Sequence, residues 1–266
     1  MNIPYKVEVF DNQIDADMLK KVFEYAQNLT WHQQLIHSTP NQLTEYRPVD
    51  GSGAWVDAKR KFIESVAAGM HRSPLASDEG TLERDHFLIY LLWKKINKIL
   101  GSRYEIAGYP EGMFHPGVPP DPLTPNLVPG WRVYLNATHS PLVWNSMGYV
   151  HRDNPNLQDD SSVTILCVLN DEWYPSWAGE FMIFPEDPEG TTGDHQQFHR
   201  KKNQQRRDFH IGWADRGQMI SPVPGRVIVY DGRCLHKTLP RQCNTGPEDT
   251  PSIRVAFRAR LKDNLG

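Results

Sequence analysis

The sequence predicts an α+β fold on three observations. Helical periodicity dominates the first hundred residues, a proline-rich stretch interrupts it, and short strands punctuated by turn residues follow. At 266 residues the chain is long enough to bury a large core as one domain, 1–266. Eight Trp, ten Tyr and ten Phe, with 39% apolar residues, argue against disorder.

Tyr5 to Phe10 alternates like a short strand, and the acidic residues between Asp11 and Asp17 offer caps for the helix that follows. Ile14, Met18, Leu19, Val22, Phe23, Ala26 and Leu29 recur at helical spacing, giving that helix one face to bury. Two further helices are expected over Asp57 to Met70 and Leu82 to Leu100, the second ended by Gly101. Residues 1–108 are thus expected to be mostly helical support. Over 109–130, seven prolines forbid regular helix and central strand and leave a long structured loop.

Beyond the loop the period changes to that of strands. Trp131–Ala137, Leu142–Val150, Ser161–Leu169, Glu180–Phe184, Met219–Val223, Arg226–Tyr230 and Ser252–Leu261 are the expected members of an antiparallel sandwich or barrel over 131–261. A polar insertion at 186–218 lacks core periodicity. Its basic run from His199 to Arg207 fits a solvated loop, or a lid that recruits an anionic substrate.

Several classes of function are disfavoured. A net charge of −3 implies no polyanionic partner, and no basic stripe interleaved with aromatics marks a nucleic-acid surface. The three cysteines, Cys167, Cys234 and Cys243, have no CxxC spacing and fit free thiols in a reducing compartment. With no export signal or apolar span, no membrane association is expected and the cytoplasm is the expected location. The spacings of His195, His199 and His210 match no common metal motif.

The residues that carry chemistry lie elsewhere. His151-Arg152-Asp153 closes the Leu142–Val150 strand, and side chains two apart on a strand share a face, so one imidazole and one carboxylate converge. His236 follows the apolar strand GRVIVYDGRCLH, 83 residues after Asp153. Two imidazoles and a carboxylate suit Fe(II) and leave positions open for a co-substrate and O2. Arg254 lies in SIRVAFRAR, where Ile253, Val255 and Phe257 take the opposite face. A guanidinium turned inward needs an anion, and its fork matches a carboxylate. Arg258 and Arg260 share its face, and the bland reading of all three is a solvated basic strand edge. Cys234, Trp144 and Tyr149 could approach the same region or serve only as packing.

HxD, a distant His and an Arg some residues beyond resemble the 2-oxoglutarate/Fe(II) oxygenase superfamily over 131–261. The resemblance implies a double-stranded β-helix, or jelly-roll, with the N-terminal helices packed on one sheet. It implies that His151, Asp153 and His236 hold Fe(II) and that Arg254 binds 2-oxoglutarate. WRVYLNA is similar to a co-substrate strand of the prolyl-hydroxylase-like members, which makes Tyr134, and then Asn136, further candidates. The reaction so implied consumes 2-oxoglutarate and O2, releases succinate and CO2, and oxidises a C–H bond. Asp153, present where related halogenases have Gly or Ala, favours hydroxylation, or a cleavage or desaturation that hydroxylation begins. The expected substrate is a small, amino-acid-derived metabolite. Hydroxylation of a peptide, repair of nucleic acid and a non-catalytic, cupin-like metal-binding role are the alternatives.

Overall fold

The computed structural model describes residues 6–29, 31–34, 43–46, 70–106, 132–138, 153, 161–185, 217–239 and 252–262. The expected helix at 57–69, the proline-rich loop, the strand at 142–150 with His151, and the insertion up to residue 216 lie outside the described residues. So do Cys243 and the insertion's three histidines.

The elements run β1 (Val7–Phe10), α1 (Ala16–Gln27), β2 (Trp31–Gln34), β3 (Leu43–Tyr46), β4 (Met70–Ala76), α2 (Glu79–Asp85), α3 (Phe87–Ile99) and β5 (Tyr104–Glu105). There follow β6 (Val133–Thr138), β7 (Ser162–Val168), a 3-10 turn (Pro175–Trp177), β8 (Phe181–Phe184), β9 (Gln218–Ile220), β10 (Val227–Asp231), β11 (Leu235–Thr238) and β12 (Ser252–Leu261). The fold is mixed α and β, and every strand pair among the described residues is antiparallel.

Three helices were expected in the first hundred residues, yet β2, β3 and β4 lie there too, and Met70 opens a strand instead of ending a helix. The expected helix from Leu82 to Leu100 is two helices, parted at His86. Asp15 caps α1 by accepting from the Met18 N–H at 2.8 Å. Asp78 caps α2 in the same way through Thr81. At the end of α3, Gly101 takes φ +76°, its N–H bonds Lys98 O, and the Ser102 N–H reaches back to Asn97 O. This is the left-handed stop that only glycine adopts without cost.

The large sheet has the order β1-β10-β7-β12-β6-β4-β2-β3, with β5 also on β12. β4 admits Pro74 in its interior because the register against β6 shifts between Pro74 and Ala76. The smaller sheet has the order β11-β8-β9. Before β10, Pro224-Gly225 makes a tight turn closed by Arg226 N–H to Val223 O, with Gly225 at φ +68°. Arg226 then forks onto Asp11 at 2.6 and 2.7 Å, fastening the end of β1 to its partner strand.

The period of two sorts the side chains of the large sheet. On one face, Val133, Leu135, Ile165, Cys167, Val227, Val229, Ile253, Val255 and Phe257 join a single apolar cluster with Val22 and Phe23 of α1, Leu82 of α2 and Ile89, Leu92, Trp93 and Ile96 of α3. On the other, Tyr134, Leu166, Ile228, Tyr230 and Ala256 meet Phe181, Ile183 and Ile220 of the smaller sheet. The polar site occupies this second, inter-sheet layer.

Phe257 is fully buried and packs on Trp93 with ring centroids 5.2 Å apart. Phe257→Ala is expected to cost about 3–5 kcal/mol, read by urea denaturation, against about 0.5 kcal/mol or less for Leu261→Ala at the exposed strand end. Asp78→Ala is expected to cost about 1 kcal/mol at neutral pH. The Thr81 N–H holds the Asp78 carboxyl below its usual range. Its contribution is therefore complete above the unfolded value of about 3.9 and is lost as pH falls through the lower folded value, so the wild type and variant converge in acid.

Candidate active site

Register alone brings the site residues together. Directly opposed residues of antiparallel strands point to the same face. Arg254 opposes Asn136 on β6 and Val168 on β7, Ala256 opposes Tyr134 and Leu166, and Arg258 opposes Thr164. Thr164 in turn opposes Tyr230 of β10. Thr164, Tyr134, Asn136, Tyr230, Arg254 and Arg258 therefore face the small sheet, which contributes Phe181, His236 and Thr238.

Asp153 is buried among them, with its side chain only 4% exposed. Its Oδ2 accepts from Thr164 Oγ1 at 2.7 Å and from the Tyr230 hydroxyl at 2.9 Å, and its Oδ1 accepts from Arg258 Nη2 at 2.6 Å. Three donors, one of them a guanidinium, offset the cost of burying a carboxylate. His236 Nε2 stands 3.6 Å from the same Oδ2. On the far side of that ring, Nδ1 lies 3.0 Å from Cys234 O. A carbonyl can only accept, so Nδ1 carries a proton and Nε2 is the nitrogen turned toward the carboxylate.

The rings of Phe181, Tyr230 and His236 are in mutual contact, with centroids 4.8–5.3 Å apart, which fixes the imidazole plane. Burial and the neighbouring Asp153 push the Tyr230 phenol well above its ordinary pKa, so it remains a hydroxyl donor at neutral pH.

Arg254 is 3% exposed. Its Nη1 donates to Thr238 Oγ1 at 2.9 Å and its Nη2 to the Gly179 carbonyl. Burial lowers its pKa to about 10, so it remains a cation at neutral pH. Its hydrogen bonds among the described residues go to neutral oxygens. The nearby Glu180 carboxylate opposes that lowering of the pKa.

Among the described residues no group of three or more His, Cys, Asp or Glu side chains is placed to hold a metal ion, but Asp153 and His236 stand within the span of one. A divalent ion binds carboxylate oxygen and imidazole nitrogen at about 2.0–2.2 Å, so ligand atoms 3.6 Å apart can share one ion. The fixed Nδ1–H···O=C bond is the support that metal-bound imidazoles ordinarily have.

Of the residues expected from sequence, Asp153, His236, Arg254 and Tyr134 meet in this layer. Asn136 stands opposite Arg254 in register, and His151 is outside the described residues. The bland expectation of a solvated edge fits Arg260, which pairs with Glu105 near the surface at 3.0 Å. It does not fit Arg258, which holds Asp153 and lies over the Tyr134 ring at 5.4 Å. Cys234 is fully buried with its thiol 3.0 Å from Phe184 O, a packing role. Thr164 and Tyr230 were not expected; the available signal was their alternation with the core-facing residues of β7 and β10.

No protein-family model matches the sequence, and no curated protein matches it at a significant level. Solved structures do match in fold. A prolyl hydroxylase from Trichoplax adhaerens, in complex with a hypoxia inducible factor oxygen degradation domain peptide fragment, is 12% identical over 96% of this chain and 83% of its own, with a TM-score of 0.48. HygX from Streptomyces hygroscopicus, with nickel, 2-oxoglutarate and hygromycin B bound, is 10% identical over 97% of this chain and 84% of its own. At a TM-score of 0.52 with HygX, the likeness across nearly the whole chain is one of fold.

Proposed function

We propose that this chain is a 2-oxoglutarate- and O2-dependent non-haem Fe(II) oxygenase, and that its two facing sheets are the halves of a double-stranded β-helix with the helices on the outer face of the larger one. The observation that carries this reading is the pairing of Asp153 Oδ2 with His236 Nε2 at 3.6 Å in the same buried layer as the Arg254 guanidinium. The sequence adds His151, two residues before Asp153, as the third ligand. The fold shared with HygX, whose crystal structure holds nickel and 2-oxoglutarate, supports the same reading.

In this proposal Asp153, His236 and His151 hold the iron, which supplies the O2 chemistry when bound. Arg258 and Thr164 fix Asp153 in orientation through their hydrogen bonds. Arg254 and Thr238 receive the distal carboxylate of 2-oxoglutarate, with Tyr134 and Asn136 on the wall beside them. Phe181, Ile183 and Leu166 keep water from the reacting atoms. The substrate is a small, amino-acid-derived metabolite. In this proposal the whole chain forms one domain and nucleic acid is not a substrate, with peptide hydroxylation as the alternative reading.

Anaerobic titration of the Fe(II) protein with 2-oxoglutarate tests the class. A weak visible metal-to-ligand charge-transfer band is expected, and it is expected to vanish in His236→Ala; Fe(II) binding without a band would favour a non-catalytic metal-binding barrel. Arg254→Met removes the charged contact but keeps the stem. Its loss is expected to raise the half-saturating 2-oxoglutarate concentration about 10- to 100-fold, as a charge-assisted hydrogen bond worth about 1.5–3 kcal/mol requires, while the band at saturation persists. An unchanged titration would remove Arg254 from the co-substrate site.

A further inference from the structure

Tyr230 holds a place that hydrogen bonding to Asp153 does not exhaust. Its hydroxyl oxygen is 2.9 Å from Asp153 Oδ2 and 3.3 Å from His236 Nε2, and those two atoms are 3.6 Å from each other. Three donor atoms so spaced form a triangle. Neighbouring ligands on a six-coordinate ion, each about 2.1 Å from the metal, are about 3 Å apart. The phenol cannot swing away, because its ring is wedged between Phe181 and His236 and its backbone is paired on both sides, with β1 and with β7.

We propose that Tyr230 is a further metal ligand, whose phenol oxygen binds the iron in its ferric state; this rests on the reading of Asp153 and His236 as iron ligands. In the absence of an ion the phenol keeps its proton and donates it to Asp153. Ferric iron is a harder, more highly charged acid than ferrous iron and prefers anionic oxygen. On ligation the O–H bond breaks, the proton passes to solvent, and the oxygen lone pair forms the bond to iron; no electron is transferred. With ferrous iron the hydroxyl stays on Asp153 and the open positions remain available to the co-substrate.

The test uses the full-length protein, loaded anaerobically with Fe(II) and then oxidised by one equivalent of ferricyanide in the absence of 2-oxoglutarate. Visible absorption and resonance Raman spectra are recorded for the wild type, Tyr230→Phe and His236→Ala. The expected result is a phenolate-to-iron charge-transfer band with tyrosinate ring modes in the wild type and complete loss of both in Tyr230→Phe with iron still bound. His236→Ala is expected to lose the iron itself. A ferric wild type that retains iron but shows no tyrosinate modes overturns the assignment without any variant. A band that survives in Tyr230→Phe overturns it too, because another tyrosine would then be the ligand. Failure of the wild type to bind iron at all overturns the metal centre, and Tyr230 with it.

Discussion

The Asp153 carboxylate, enclosed between two sheets, is the constraint around which the rest of the site is arranged. A charge with a side chain 4% exposed persists there only if its lone pairs are met, and the fold meets them from three strands: Thr164 on β7, Tyr230 on β10 and Arg258 on β12. These strands are neighbours in the large sheet, so the side chains that hold Asp153 are positioned by the same backbone ladder that holds the sheet together. His236 comes from the other sheet. The site thus depends on the two sheets keeping their spacing, which the apolar contacts of Phe181, Ile183 and Ile220 with Leu166, Ile228 and Ala256 maintain.

Strand β12 illustrates how one segment serves two purposes. Ile253, Val255 and Phe257 anchor it to the helices, while Arg254 and Arg258 deliver two guanidiniums into the opposite layer. A slip of one residue would bury the arginines against Trp93 and turn Phe257 toward Asp153. The register is therefore fixed from both faces, more strongly than either set of contacts would fix it alone.

That alternation is also why much of the site was legible in the sequence. Arg254 could be placed on an inward face because its neighbours are apolar, and Asp153 and His236 could be joined because both lie at the ends of strand-like runs. Arg258 and Tyr230 were harder. An arginine two turns of the alternation beyond Arg254 looks like a strand edge until the residue opposite it is known, and Tyr230 reads as one more aromatic in an apolar run. Their partners are set by pairing between segments over 60 residues apart, which a single sequence does not carry. The N-terminal strands were missed for local reasons. WHQQ and LTEY have little apolar alternation, and Pro74 argues against a strand unless the register shift beside it is known. The break at His86 has no glycine or proline to announce it.

The balance of charge in the inter-sheet layer supplies the last step. Among the described residues, Asp153 is answered by Arg258, while Arg254 is a buried cation whose hydrogen bonds go to a hydroxyl and a carbonyl and whose nearby negative charge is Glu180. Burial lowers its pKa only to about 10, so at neutral pH it keeps its charge and does not shed the proton. If Asp153 and His236 take up a divalent ion as proposed, the layer becomes more positive still. A region so poorly solvated then favours a ligand with two separated negative groups, one able to reach the ion and one the guanidinium. A dicarboxylic keto acid has that distribution.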